Sequence, residues 1–527
     1  MADVKDIPDN VSTISMKQDV ENAEYVAGRA RPEAPAYIQS LSPEERVTAE
    51  KALVRKIDFR LIPTIIIIYI LNYLDRNNIA AARLAGLEDD LKLHGTQYQT
   101  AVSILFVGYL LMQVPSNLFL NKFGKPSVYL STAMVIWGII STATAAVQSF
   151  GGLIAVRFFL GFIEAAYFPG CLYYLSSWYT RKELGFRTAM LYSGSLLSGA
   201  FSGLIAAGIT DGLDGVHGLR AWRWLFIVEG SITIGVAAAA YFVLPNFPRT
   251  TPWLSENEKI LAAWRLEEDI GEDDWIDSEH QSFLHGAKLA AKDIKMWILM
   301  VILFCIVFSA SVTNFFPTVV ETLGYSKINS LLLTCPPYVL CVITAFINAW
   351  HADRTGERYW HITAPLYFGV FAFILAAATT STAPRYVAMM LMVPGVYTGY
   401  VVCLGWISNT LPRPASKRAA SIAAINAVSN TSSIFASYMF PKSAGPRYVL
   451  AMSLCSATAA IAVIFATILR FMLVRLNKKL DRGEFVEGAI NNDPSAAEAG
   501  GTKLPSVLTA GEAVPAEAAK KGFRFLI

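Results

Sequence analysis

The chain has 527 residues, 54% of them hydrophobic and only 16% charged, with a formal net charge of +3. A soluble chain of this length would divide into several domains with a much larger charged surface. So small a positive excess, without a basic patch studded with aromatic residues, also argues against nucleic acid as a partner.

The first 57 residues are polar and lack the apolar core of a signal peptide. They are expected to form a cytoplasmic tail (1–57), with the first span acting as the insertion signal. About twelve apolar segments follow, each near the 20 residues needed to cross roughly 30 Å of hydrocarbon at 1.5 Å per residue. Their approximate limits are 58–81, 97–121, 127–147, 151–176, 186–209, 222–244, 295–319, 327–351, 361–381, 385–409, 416–439 and 448–475. Breaks fall at turn or charge clusters such as Gly124-Lys125-Pro126 and Asp211-Gly212. The longest interruption, 246–293, is charged and divides the spans six and six. It predicts a first bundle over 58–245, a cytoplasmic central loop and a second bundle over 294–476. Within the loop Ser255 reads as a helix N-cap, with Glu258 at the capping-box position. Residues 477–527, rich in Ala, Gly, Glu and Pro, are expected to be a disordered cytoplasmic tail.

Basic residues set the orientation. Arg46, Lys51, Arg55, Lys56 and Arg60 crowd the approach to the first span. Arg181, Lys182 and Arg187 follow the fourth, Arg413, Lys417 and Arg418 the tenth, and Arg475, Lys478, Lys479 and Arg482 the last. Both termini and the central loop should therefore be cytoplasmic. The six cysteines all fall in apolar runs without metal-ligand spacing, so they read as small packing residues.

Four ionisable residues interrupt the apolar runs: Asp75 and Arg76 in the first span, Arg157 and Glu164 in the fourth. Each costs roughly 2.5–3.5 kcal/mol at a helix centre unless paired or facing water, so such residues most often line a substrate or proton pathway. Arg157 and Glu164 are about two helical turns apart and share a face, with Gly161 between them letting another helix approach. Asp75 and Arg76 diverge by about 100° around the helix and cannot both point straight into one cavity.

Several strings together resemble the major facilitator superfamily, and within it the anion:cation symporter family in its fungal allantoate-permease branch. They are Leu71-Asn72-Tyr73-Leu74-Asp75-Arg76-Asn77-Asn78-Ile79, Gln113-Val114-Pro115-Ser116-Asn117 and Arg157-Phe158-Phe159-Leu160-Gly161-Phe162-Ile163-Glu164-Ala165. Trp222-Arg223-Trp224-Leu225-Phe226, Glu229-Gly230 and Gly445-Pro446-Arg447-Tyr448 add to the likeness, which runs from about 55 to 478. The resemblance implies an all-α membrane protein with twelve transmembrane helices in two pseudo-symmetric six-helix bundles. A weak echo between the halves, Asn121-Lys122-x-Gly124 against Asp353-Arg354-x-Gly356, agrees with alternating access.

The function expected is proton-coupled uptake of a small organic anion, such as a vitamin acid, allantoate or a small peptide. Arg76 and Arg157 offer planar donors to its carboxylate. Asp75 and Glu164 are the candidate proton carriers, as matching positions are in related symporters. The competing reading is a buried ion-pair network that only joins the two helices. Tyr73, Tyr109, Asn314 and Trp406 are candidates to line the cavity, with ordinary packing equally open to each. Glu229 is expected to pair with Arg223 or lie against Trp224, in a structural role. Asp353, Arg354 and Arg358 form a candidate cytoplasmic latch, weaker in the first half where Asn121 replaces an acid.

Vertebrate members of the resembled family carry a second-span histidine and a seventh-span arginine, and neither occurs in 97–121 or 295–319. The fifth span has Gly194, Ser198, Ser202 and Ala206 as a close-packing stripe and lacks the Gly-Pro element of drug:proton antiporters. An exporter of an organic acid or secondary metabolite on the same fold is the first alternative, and a non-transporting nutrient receptor the second. An enzyme is not expected, since no Gly-x-Ser-x-Gly, His-Glu-x-x-His or phosphate-binding Gly loop occurs. No cofactor or metal is expected. The partners are an organic anion, a proton and the bilayer. The chain is expected to be a monomer, with the plasma membrane its favoured address.

Overall fold

The computed structural model describes residues 34–123, 125–266, 268, 283–411, 415–482, 486 and 524–527. Most of both expected tails and the middle of the central loop lie outside these residues. The first half consists of α1 (Pro43–Leu84), α2 (Gln97–Phe123), α3 (Pro126–Thr144), α4 (Phe150–Glu164), α5 (Tyr167–Ser176), α6 (Arg181–Gly212) and α7 (Ala221–Val243). A helix over 256–266, α8, and α9 (Phe283–Lys292) belong to the central segment. The second half runs through α10 (Ile294–Ala310), α11 (Phe316–Glu321), α12 (Lys327–Leu332), α13 (Cys335–Thr355), α14 (Tyr359–Ala378), α15 (Thr382–Thr410), α16 (Ala415–Ala436) and α17 (Val449–Asp481).

Counting α4–α5, α10–α11 and α12–α13 as broken passes gives six passes per half. Among the described residues nine helices are long and apolar enough to cross a membrane. The remaining passes are the second, fourth and eleventh. The fourth is split after Glu164, where Pro169 has no amide N–H to return to the carbonyl four residues back. Large apolar side chains such as Phe242, Phe368, Phe371 and Phe471 stand exposed on the outside, the inverse of a water-facing surface.

Local chemistry fixes several ends. α1 begins at Pro43, well ahead of the expected 58, because Ser42 and Glu45 form a capping box with Pro43 in the first turn. The expected box of Ser255 and Glu258 opens α8: Ser255 Oγ accepts from the Glu258 amide at 3.3 Å, and Glu258 Oε2 from the Ser255 amide at 2.8 Å. Gly356 closes α13 in the left-handed region, φ +69°, where a side chain would be strained. All six cysteines are free thiols.

An even number of passes puts the chain ends and the central segment on one face, here called the basic face. α8 is bound there to the first half. Arg265 donates to Glu183 (3.0 Å) and the Trp178 carbonyl (2.8 Å), Lys56 donates to Glu258 (2.7 Å), and Trp253 stacks on Trp178. Polar contacts between the halves gather at the opposite face. Gln99 Nε2 donates to the Phe440 carbonyl (3.3 Å), the Tyr438 hydroxyl meets Thr100 (3.1 Å), and Lys442 pairs with Glu88. The helices approach closely there too. A Cβ on Gly203 would lie 2.3 Å from Thr334 Oγ1, and one on Gly199 within 2.3 Å of the Tyr338 ring. The cleft between the halves is therefore closed at that face. These glycines flank the expected stripe of the fifth span, whose Gly194 instead faces the first pass at the Ile66 carbonyl (3.3 Å).

Candidate functional site

α1 and α4 are joined by side chains reaching between them, Arg76 to Glu164 and Arg157 to the Arg76 carbonyl. A Cβ on Gly161 would lie 2.0 Å from the Leu105 carbonyl oxygen, so the expected close approach at this glycine is made by α2. That contact sets α4 tightly beside α2, turning Arg157 and Glu164 inward, where both are buried.

Arg76 crosses to Glu164, Nε to Oε2 at 3.0 Å, with Glu164's side chain fully enclosed. The guanidinium lies over the rings of Tyr73 (5.1 Å) and Tyr109 (4.9 Å). Glu164 Oε1 accepts no hydrogen bond among the described residues. The carboxylate is thus satisfied on one oxygen only, which is costly in a low-dielectric interior. Arg157 behaves differently from Arg76. Its Nε donates to the Ala101 carbonyl (3.4 Å) and both terminal nitrogens to the Arg76 carbonyl (3.3 Å), stitching α1, α2 and α4 together.

Arg76, Asn77, Val102, Phe106, Arg157 and Asn314 line a cavity of about 10 Å³, roughly the space of one water. Asn314 is the second half's contribution, carried on the single turn Ser311–Phe315 between α10 and α11. Arg76, Arg157 and Asn314 come together at this cavity, while Tyr73 and Tyr109, expected as further lining, lie instead against the Arg76 guanidinium. Two others lie elsewhere. Asp75 turns away from that cavity and is fully buried, accepting from Ser141 Oγ (2.6 Å) and Thr233 Oγ1 (2.8 Å) on α3 and α7. Its 100° offset from Arg76 sends it into the wall of the first half. Trp406 is near the basic face, its Nε1 donating to the Leu526 carbonyl (2.9 Å), because only four residues separate it from the end of α15. It does not line the central cavity.

The expected pairing of Glu229 with Arg223 also fails. Arg223 donates to Asp90 (2.9 Å) and to the carbonyls of Ala145 and Val147, a full turn or more from Glu229. Glu229 is buried and neither carboxylate oxygen accepts a hydrogen bond among the described residues. Of the latch residues, Arg358 at the start of α14 pairs with Asp353 in the last turn of α13 at 2.7 Å, joining two neighbouring helix ends of the second half, while Arg354 lies over the Trp350 ring of its own helix (5.5 Å). The side chain of Asn121 is outside the described residues.

Sequence reasoning missed a set of tyrosines below Arg76. Tyr192 of α6 donates to Tyr400 of α15 at 2.6 Å, spanning the halves at mid-depth. Tyr69 packs edge-on to Tyr73 (5.0 Å), and Tyr397 meets Thr313 (3.2 Å). Their signal was available: each is an aromatic with a polar tip inside an otherwise apolar run.

Two closely packed six-pass halves around a charged central cleft define a multi-pass membrane transporter. The Major Facilitator Superfamily model matches residues 65–437. An uncharacterized transporter of Schizosaccharomyces pombe is 35% identical, over 81% of this chain and 87% of its own length. The MFS-type transporter cnsO of Penicillium expansum is 33% identical, over 82% and 85%. The major facilitator-type transporter hxnP of Emericella nidulans is 31% identical, over 79% and 85%. Among solved structures, the proton:xylose symporter XylE bound to 6-bromo-6-deoxy-D-glucose has a TM-score of 0.60 at 16% identity, covering 77% of this chain and 94% of that one. An inward-facing, occupied bacterial homolog of the human lysosomal transporter Spinster has the same score at 15% identity, covering 79% and 97%. The chain belongs to the major facilitator superfamily. It is a secondary transporter and not an enzyme.

Proposed function

We propose that this transporter takes up a small organic anion together with a proton, as in the anion:cation symporter family and its allantoate-permease branch. The observation that carries the reading is the 3.0 Å pair of Arg76 with Glu164, one carboxylate oxygen unmatched and the arginine itself lining the central cavity. Glu164 and a substrate carboxylate compete for the same guanidinium. When Glu164 takes a proton it releases Arg76, whose planar donors then bind the incoming carboxylate. Proton and anion arriving together leave the pocket nearly neutral, which lowers the cost of carrying it through an occluded state. Deprotonation of Glu164 on the other side restores the pair and expels the anion.

Tyr73 and Tyr109 hold the guanidinium in place, and Asn314 supplies a polar contact from the second half. Arg157 fixes the helix backbone around Arg76. The proton is assigned to Glu164 ahead of Asp75, because Asp75 already accepts two hydroxyl hydrogen bonds behind α1. The basic face is read as cytoplasmic, from its lysine and arginine excess, in the plasma membrane. The arrangement here, closed at the opposite face, then corresponds to a state of alternating access in which the path does not open outward. The protein works as a monomer in this reading.

Thermal-shift screening of purified protein against vitamin acids, purine catabolites and dipeptides at two pH values identifies the substrate. Uptake of that substrate into proteoliposomes under imposed pH gradients then tests the coupling. The expected result is accumulation driven by an inward proton gradient in the native protein and its loss in Glu164→Gln. Uphill, pH-dependent uptake retained by Glu164→Gln would show the proton assignment to be wrong.

A further inference from the structure

Residues 524–527 form neither helix nor strand, yet they are bound across the basic-face ends of three second-half helices. Phe525 pairs with Asn477 of α17 through both of its main-chain groups. Its N–H donates to Asn477 Oδ1 at 3.0 Å, and its carbonyl accepts from Nδ2 at 2.9 Å. The Leu526 carbonyl accepts from the Trp406 indole of α15 at 2.9 Å. The Ile527 main-chain oxygen accepts from the amides of Arg358 (2.5 Å) and Tyr359 (3.3 Å) at the start of α14. Amides at a helix start have no carbonyl to bond within their own helix, and the helix dipole favours an oxygen there. Arg524 donates to Asp481, the last residue of α17, at 2.8 Å.

Each of the four residues thus has its own anchor, and the side chains agree with the backbone. Phe525 is buried, with the Lys295 ammonium 4.8 Å from its ring centre. Asn477 offers its donor and its acceptor to one residue, which fixes the register of the segment. Three consecutive main-chain oxygens are matched, which a stretch merely lying on a surface has no need to achieve. The segment behaves as a peptide ligand that the chain carries itself.

The helix it holds through Trp406 is one that faces the cleft. α15 meets the first half at Tyr400, which accepts from Tyr192 at 2.6 Å. Trp406 stands six residues past Tyr400, about 600° of helical turn, and so faces about 120° away from it. The segment therefore grips α15 on a side other than the cleft and fastens it to α14 and α17. Closing the basic face in alternating access requires the basic end of α15 to lean toward the first half. We propose that residues 524–527 are an intramolecular strap. Docked, they hold the ends of α14, α15 and α17 together and favour the state closed at the opposite face; released, they free the basic face to close. The strap works whatever the substrate and wherever the proton is carried.

The test compares the full chain with Phe525→Ser, Phe525→Leu and a deletion of 524–527, each purified in detergent. Hydrogen exchange across 357–362 reports docking, because the Arg358 and Tyr359 amides are covered by Ile527. Reactivity of a Val102→Cys probe toward an impermeant thiol reagent, against the same protein without the probe, reports opening of the opposite face. Phe525→Ser and the deletion should both speed the exchange and raise the probe's reactivity about 5- to 150-fold, the range of ordinary conformational coupling. Phe525→Leu keeps an apolar side chain and should resemble the native protein in both. Exchange in the native protein as fast as in the deletion would show that the segment is not docked. Faster exchange with unchanged probe reactivity would show a local brace and overturn the strap.

Discussion

Arg76 and Glu164 are 88 positions apart in the chain and joined at 3.0 Å in the fold, two opposite charges from different helices enclosed at one level. The guanidinium lies over the rings of both Tyr73 and Tyr109, yet one oxygen of Glu164 goes unmatched. A fully satisfied pair would be a static brace. A half-satisfied pair whose arginine lines a cavity can exchange partners at lower cost, which is what the proposed coupling role requires.

Removing one member of this pair should cost more than removing both. Arg76→Gln leaves Glu164 enclosed without its partner, a loss of about 3–5 kcal/mol for a broken buried pair. The double variant Arg76→Gln/Glu164→Gln should recover most of that. Thermal unfolding of the four proteins in detergent gives the coupling directly, and additive losses would mean the two side chains do not act as a pair.

Asp75 and Glu164 should separate in function. Asp75→Asn keeps an oxygen and adds an amide for the Ser141 and Thr233 hydroxyls, so folding and the pH dependence of uptake should both survive. Asp75→Leu strands two buried hydroxyls, at about 1–3 kcal/mol each, and should lower the unfolding midpoint. Uptake by Asp75→Asn that no longer responds to pH would return the proton to Asp75.

Acid should release the central helix from the first half. Burial pushes the Glu258 carboxyl up, but hydrogen bonds from Lys56 and the Ser255 backbone outweigh it and hold the group below its usual 4.5. A lowered folded value means that its stabilising contribution is complete above 4.5 and disappears as pH falls through the folded value. Hydrogen exchange across 256–266 should accelerate below that point in the native protein and be insensitive to it in Glu258→Gln. Exchange that is equally steep in both would place the acid response elsewhere.

Bulk at Gly203 should reopen the closed face. A Cβ there would be 2.3 Å from Thr334 Oγ1 and 2.6 Å from the Leu331 carbonyl oxygen, so Gly203→Val forces the halves apart. Overpacking of about 1–3 kcal/mol shifts the population roughly 5- to 150-fold away from this state. A cysteine placed at Val102, on the cavity wall, should then react faster with an impermeant thiol reagent added from that side. Loss of Lys442 alone, an exposed partner, should change little.

The sequence alone determined the twelve passes, because the hydrocarbon thickness fixes the length of every apolar run. It also singled out Asp75, Arg76, Arg157 and Glu164, which have no local reason to lie in such runs. The Ser255–Glu258 cap was legible for the same reason: it is complete within four residues. The divergence of Asp75 from Arg76 followed from 100° per residue, but not that Ser141 and Thr233 would receive Asp75. The tertiary structure decided what helix rotation and remote contact control: Arg223 on Asp90 instead of Glu229, Trp406 on Leu526 instead of the cavity, Tyr192 on Tyr400 across the halves, and Lys417 on Asp293. Each of these joins residues whose spacing in the chain carries no information about their distance in space. A helix's periodicity says which residues share a face; only packing says what that face meets.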